Sequence, residues 1–223
     1  TQKKEIDKTS DKYMEKVWEI RRPYNNTSQI WRYKGEDTEL VFPTEVGGVK
    51  IDGISKRSGK TPDIYSKISS VVIPEGYTSI GSNAFDGCTS LERVELPSTL
   101  EYIYDRAFAG CVLLESVDLP KSLKYIGMEA FAGCEKLEKL ILPTNTEGSR
   151  AFKGCTAPRD VYVLNPFRKI AASVFSGCRK VVLHVADDSE LVTNFGPKRI
   201  MPINDRDGYE IAKKYLSEPM KVE

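Results

Sequence analysis

Histidine is almost missing from this chain, where His184 is the only one among 223 residues. Metal centres and general acid–base sites lean on imidazole, so its scarcity removes the commonest route to both. Charge of one sign is missing too, because Lys plus Arg is 33 against 32 for Asp plus Glu. Nucleic acid and anionic membranes call for concentrated positive charge, so the near balance argues against either as the main partner. No apolar run approaches the ~20 residues that span a bilayer. The chain opens at Thr1 with no charged-then-apolar leader, so the residues are silent on secretion. The remainder, 40% hydrophobic and 29% charged, is ordinary for a chain that buries a core as one large domain or two small ones.

Cysteine breaks this plainness. Cys88, Cys111, Cys134, Cys155 and Cys178 follow one another at intervals of 23, 23, 21 and 23 residues. Each closes one phrase, which runs from Ala84-Phe85-Asp86-Gly87-Cys88 through three similar copies to Val174-Phe175-Ser176-Gly177-Cys178. A fixed period in this range is the mark of stacked repeats. Within the unit, Leu91, Val94 and Leu96 return as Leu114, Val117 and Leu119, then as Leu137, Leu140 and Leu142. The last two of each trio alternate with polar residues, the period of a half-buried strand. Pro74, Pro97, Pro120 and Pro143 recur every 23 residues and end each strand, since proline has no N–H for the ladder.

A second short apolar pair follows, at Ser79-Ile80, Tyr102-Ile103 and Tyr125-Ile126. The Ala-Phe segments are expected to form single helical turns, with Ser82, Asp105 and Ser149 as N-caps. Phe85, Phe108, Phe131, Phe152 and Phe175 then stack as an aromatic spine. The glycine before each cysteine suits a left-handed residue that ends the turn. One coil cannot bury its apolar side alone, but stacked neighbours ~4.8 Å apart can. Upstream, Val17 to Ile20 and Ile30 to Tyr33 are expected to pair as a hairpin that closes the open end. Tyr209 to Leu216 fits a short amphipathic helix at the other end. The predicted organisation is a tail and capping segment over 1–30, a solenoid with an irregular first coil over 31–187, and a C-terminal cap over 188–223.

The run Ile73-Pro74 … Ile80-Gly81-Ser82-Asn83-Ala84-Phe85-Asp86-Gly87-Cys88-Thr89-Ser90-Leu91 resembles the BspA-type leucine-rich repeat, and the resemblance extends over residues 68–185. Tyr33 to Gly48 also looks like the segment that leads into such repeats. The resemblance implies a right-handed solenoid, with a parallel sheet on one wall and short strands and single helical turns on the other. It also implies a secreted or cell-surface bacterial protein that binds other proteins, often as an adhesin. The fourth unit departs from the pattern: it is two residues short, carries Pro158 at a leucine position, and has Glu147-Gly148 in place of Ile-Gly.

Candidate sites are weighed against plain packing. The cysteines occupy one place in every coil, ~5 Å apart, which is inside the disulfide window. Parallel side-chain vectors, an odd count and no Cys-x2-Cys spacing instead favour buried, reduced thiols, without metal or cofactor. Gly53 to Thr61 has five residues between its glycines, one too many for a phosphate loop, and is read as a basic surface loop. Asp205-Arg206-Asp207-Gly208 lacks the closing Glu of a calcium loop, since Lys214 stands there. His184 alternates with Leu183 and Val185, so it is expected to face solvent. No nucleophile–base pair emerges, and the chain is read as non-catalytic.

The strand residues between the core positions form the candidate binding stripe. They are Ser70 and Val72, Arg93 and Glu95, Ser116 and Asp118, Lys139 and Ile141, Asp160 and Tyr162. Val72, Ile141 and Tyr162 are expected to project as apolar groups into water, which favours a protein contact, with Arg93 and Tyr162 as anchors. Tyr102, Tyr104 and Tyr125 form a second candidate patch on the lateral edge. The reading is a monomer with a protein partner, binding neither nucleic acid nor a membrane interior. The alternative is a spacer within a longer surface protein.

Overall fold

The computed structural model describes residues 10–22, 28–55, 65–142, 150–157, 160–163, 172–178, 181–185 and 200–202. The expected helix over 209–216, the loop at 205–208, most of the basic loop from Lys56 on and the shortened stretch before Arg150 lie outside them. Among the described residues the strands build two large sheets that wrap one core, besides a small antiparallel pair of Glu45–Val46 with Val49–Lys50. One has eight strands and is parallel throughout, running in space from Glu39–Val41 through Ser70–Val72, Arg93–Glu95, Ser116–Val117, Lys139–Leu142, Asp160–Val163 and Val182–Val185 to Ile200–Pro202. The second has six, in which Gln29–Tyr33, Gly53–Ile54, Ser79–Ile80, Tyr102–Ile103 and Tyr125–Ile126 are parallel neighbours. Among the described residues, the coils from Glu39–Val41 to Ser116–Val117 each contribute one short strand to each sheet, and later coils contribute to the eight-stranded sheet, which is the solenoid the repeat period predicts.

Of the expected helical turns one forms, a 3-10 turn at Ala172–Phe175; in the four coils before it the segments are more regular across coils than along the chain. Asn83, Arg106, Glu129 and Arg150 precede the Ala-Phe pairs with φ of 60°, 55°, 55° and 61°, in the left-handed region. A helix cannot begin through such a residue. Successive N–H groups then alternate between two kinds of acceptor. In one coil Ala84, Asp86 and Cys88 donate back to Gly81, Asn83 and Phe85 of the same turn, while Asn83, Phe85 and Gly87 donate to Asp105, Ala107 and Ala109 of the next coil. The turn wall is therefore a third hydrogen-bonded ladder. Asp105, expected as an N-cap, uses its carboxylate between coils, accepting the Met128 N–H at 2.7 Å. The glycines before the cysteines do hold positive φ, from 72° at Gly110 to 82° at Gly177.

Inside the walls the side chains form columns. Phe85, Phe108, Phe131, Phe152 and Phe175 stack with centroids 5.1 to 5.6 Å apart and planes within 15°. The coil spacing exceeds the thickness of a ring, so the rings stack offset, a favourable arrangement for their quadrupoles. Phe42 closes the column edge-on at 5.9 Å from Phe85, and Trp18 lies 4.9 Å beyond it. Trp18 comes from the expected hairpin, in which Trp18–Arg21 pairs antiparallel with Gln29–Tyr33. Tyr77 fills the position that Leu100 and Leu123 occupy in later coils, and its hydroxyl donates to the Pro43 carbonyl at 2.6 Å.

The five cysteines are buried and form no disulfide. They do more than fill space. The thiols of Cys111, Cys134, Cys155 and Cys178 donate to the carbonyls of Phe85, Phe108, Phe131 and Phe152 in the preceding coil, at 3.0 to 3.3 Å. Each of these carbonyls also takes an N–H from its own turn, so the thiol occupies the second lone pair. Hydrogen bonding with Cys134, together with burial, holds the Cys155 thiol far above its ordinary range. Burial, with Cys155 nearby, pushes Cys178 up to about 11.

Two outcomes follow for these thiols. At pH 8 a thiol reagent should label none of the five until denaturant is added, as labelling followed by mass spectrometry would read. Because the folded values are raised, this contribution to stability is complete below the unfolded thiol value of about 8.5 and declines above it. Urea midpoints should therefore fall from pH 8.5 to 11, and replacing Cys155 and Cys178 with alanine should flatten that decline.

Candidate functional site

The parallel register fixes two rows across the outer face of the eight-stranded sheet. One runs Glu39, Ser70, Arg93, Ser116, Lys139, Asp160 and Val182 in pairwise register. The other runs Val41, Val72 and Glu95, continues beside Asp118, and resumes as Ile141, Tyr162, His184 and Met201. Both arise because strand side chains alternate, leaving Val71, Val94, Val117, Leu140, Val161 and Leu183 in the core. All ten candidate stripe residues belong to these rows, so one face brings them together.

Exposure along that face is uneven. Arg93, Glu95, Ser116, Asp118 and Asp160 are exposed, while Val72 and Ile141 are half-buried. Contrary to expectation, Tyr162 does not project into water and is only 6% exposed. His184, also expected in solvent, is 5% exposed. The two rings stack with centroids 4.6 Å apart and planes 19° apart, and His184 Nε2 lies 2.7 Å from Asp160 Oδ1. Alternation assigns a residue to a face but does not say whether neighbours cover it. Here an in-register imidazole covers the phenol ring, and Tyr162 is part of the floor of the face.

Between the coils at Arg93 and Ser116 the face dips into a depression of about 520 Å³, lined by Glu92, Arg93, Val94, Glu95, Leu96, Glu115, Ser116 and Asp118. Glu92 and Glu115 were not among the sequence-derived candidates. Their signal lies in the repeat itself, because Glu92, Glu115 and Glu138 follow Leu91, Leu114 and Leu137 at intervals of 23 residues. The Arg93 guanidinium contacts the Glu95 carboxylate on its own strand.

The lateral tyrosines also meet. Tyr104 lies 6.1 Å from Tyr102 and 6.0 Å from Tyr125, centroid to centroid, and is 41% exposed beside the 48% exposed Met128. Among the described residues no group of three or more His, Cys, Asp or Glu side chains is placed to hold a metal. Among them no helix is long and apolar enough to cross a membrane.

The buried stack and the exposed guanidinium should respond oppositely to truncation. Tyr162→Ala should cost about 3 kcal/mol, as removal of a buried ring does. Arg93→Ala should stay within about 0.5 kcal/mol. Urea unfolding of the two variants measures both; equal, small effects would mean that Tyr162 is not covered as described.

The family model described as "BspA type Leucine rich repeat region" matches six copies over residues 64–182. Among solved structures, the T. pallidum leucine rich repeat protein is 25% identical with a TM-score of 0.69, over 91% of this chain and 95% of that one. A leucine rich cell surface protein from Faecalibacterium prausnitzii A2-165 is 23% identical with a TM-score of 0.58, over 78% of this chain and 54% of that one. A leucine-rich repeat protein from Bacteroides ovatus is 20% identical with a TM-score of 0.57, over 76% and 51% respectively. The chain thus spans about half the length of the last two, and they bear on its fold alone. No curated protein sequence matches it.

Proposed function

The chain belongs to the BspA type leucine rich repeat family, and from that premise we propose that it is a non-catalytic module that binds a protein through the outer face of its eight-stranded sheet. Repeats of this family suggest an interaction or scaffold role. The observation that carries the choice of face is the depression at Arg93 and Ser116 on the eight-stranded sheet. Arg93, Glu95, Ser116, Asp118, Lys139, Ile141 and Asp160 supply the contacts, and Tyr162 supports them from below. The hairpin of Trp18–Arg21 and Gln29–Tyr33 closes one end, and the module acts as a monomer. The bacterial surface or secreted setting proposed with it rests on membership of the repeat family.

A rigid, preformed face lowers the entropic cost of docking, so affinity depends on a few well-placed contacts rather than on area. The test is a screen of immobilised chain against extracellular-matrix, plasma and bacterial surface proteins by interferometry. A partner bound by the native chain should lose at least about tenfold in affinity with Ser70→Arg plus Ser116→Arg, roughly the loss of one interfacial hot spot. Lys153→Ala, on the turn wall, should leave binding unchanged. If the arginine pair also has no effect on any partner found, the sheet face is not the binding surface and the spacer reading replaces this one.

A further inference from the structure

Among the described residues, surface charges that pair between coils are of opposite sign, and the column of Glu92 departs from this. Along the turn wall, Arg106 bonds Asp86 and Glu129 in the coils on either side, and Glu129 also bonds Lys153. On another edge Lys124 pairs with Glu101 of the preceding coil at 2.7 Å. Coil stacking places equivalent residues one strand spacing apart, ~4.8 Å, so alternating sign is the favourable pattern. Glu92, Glu115 and Glu138 break it. Their backbones are joined coil to coil, Glu115 N–H to Glu92 carbonyl at 3.4 Å and Glu138 N–H to Glu115 carbonyl at 3.1 Å, which sets three glutamates of one sign in a column.

The depression beside that column adds Glu95 and Asp118, so four carboxylates line it against the single guanidinium of Arg93. That guanidinium already contacts Glu95. Lys136 reaches Glu115 only at 3.9 Å, with both side chains more than half exposed, so water screens the pair. The apolar flanks are a separate observation. In the row that holds Glu95 and Asp118, Val41 is 67% exposed at one end and Val72 half-buried, and Ile141 is half-buried at the other. From Val41 to Ile141 the row crosses four strand steps, ~19 Å, the span of about six extended residues.

We propose that the occupant of this face is a cationic segment of a partner protein, extended across the strands, with lysine or arginine over the Glu92–Asp118 depression and apolar residues against Val41, Val72 and Ile141. The proposal rests on the sheet face being the binding surface and adds the chemistry of what binds there. Cations relieve the repulsion of the glutamate column, and the apolar ends cover the valines and the isoleucine. An acidic segment would meet the column with like charge and be rejected, which makes the face selective as well as attractive.

The probe is a capped synthetic peptide about seven residues long, with leucine at both ends and lysine and arginine between; its counterpart carries glutamate at the central positions. The basic peptide should bind, with affinity falling at least about tenfold between 50 and 300 mM salt, as screening shortens the reach of charge. The variant Glu92→Gln, Glu95→Gln, Glu115→Gln, Asp118→Asn should keep or raise its melting temperature and lose about tenfold or more in affinity. Val41→Ser should lose a few-fold. Equal binding of the two peptides, or an unchanged affinity in the neutralised variant, overturns the proposal. A protein partner blocked by Ser70→Arg plus Ser116→Arg yet insensitive to neutralisation overturns the cationic chemistry alone. One indifferent to both sets of changes overturns the underlying reading of the face.

Discussion

Each coil presents backbone donors and acceptors that it cannot satisfy by itself, and nearly every feature of the molecule follows from where they go. They go sideways, to the next coil, on all three walls. Two walls use parallel strand ladders, and the third uses turns whose N–H groups alternate between their own turn and the neighbour. Hydrogen-bond geometry sets the step at ~4.8 Å, and that distance is imposed on every side chain at an equivalent position. A column must therefore consist of groups that tolerate close, repeated contact with copies of themselves. Phenylalanine rings do so by offset stacking. Cysteines do so because a thiol is small and spends its weak donor on the carbonyl one coil back.

The same constraint shapes the outer face proposed for binding. A sheet whose inner strands are paired along both edges has little freedom to rearrange, so its surface pattern is preformed. Side chains on it are set by register to within a residue: Arg93 beside Ser116, Ile141 beside Tyr162, Tyr162 beside His184. Charges that lie in columns either alternate, as around Arg106, or repel, as in the Glu92 column, and repulsion in the unliganded protein leaves room for a partner of opposite sign.

Much of this was legible in the residues. The 23-residue cysteine interval implied the stacking, the prolines marked the strand ends, and alternation sorted Val94 and Val117 inward from Arg93 and Ser116. The hairpin at Trp18 could be read from its two short apolar runs. The turn wall could not. Ala-Phe after Ser or Asp looks like a capped helical turn, and only the positive φ of Asn83, Arg106, Glu129 and Arg150 shows that the bonds leave the coil. Asparagine tolerates that conformation readily, but arginine and glutamate give no local sign of it. The glutamate column was present in the repeat, but its closeness is a property of stacking and not of any one unit.

By itself the sequence determined the period, the inward and outward sets, and the class of fold, because those depend on local alternation and on proline and glycine at fixed points. Tertiary structure decided which outward residues are in fact covered. Tyr162 and His184 read as exposed, yet each lies against the other, with Asp160 closing the polar edge. Tertiary structure also decided that Phe42 and Trp18, far from the repeats in character, complete their aromatic column. Burial of a side chain depends on neighbours more than twenty residues away, and alternation along a strand carries no information about them.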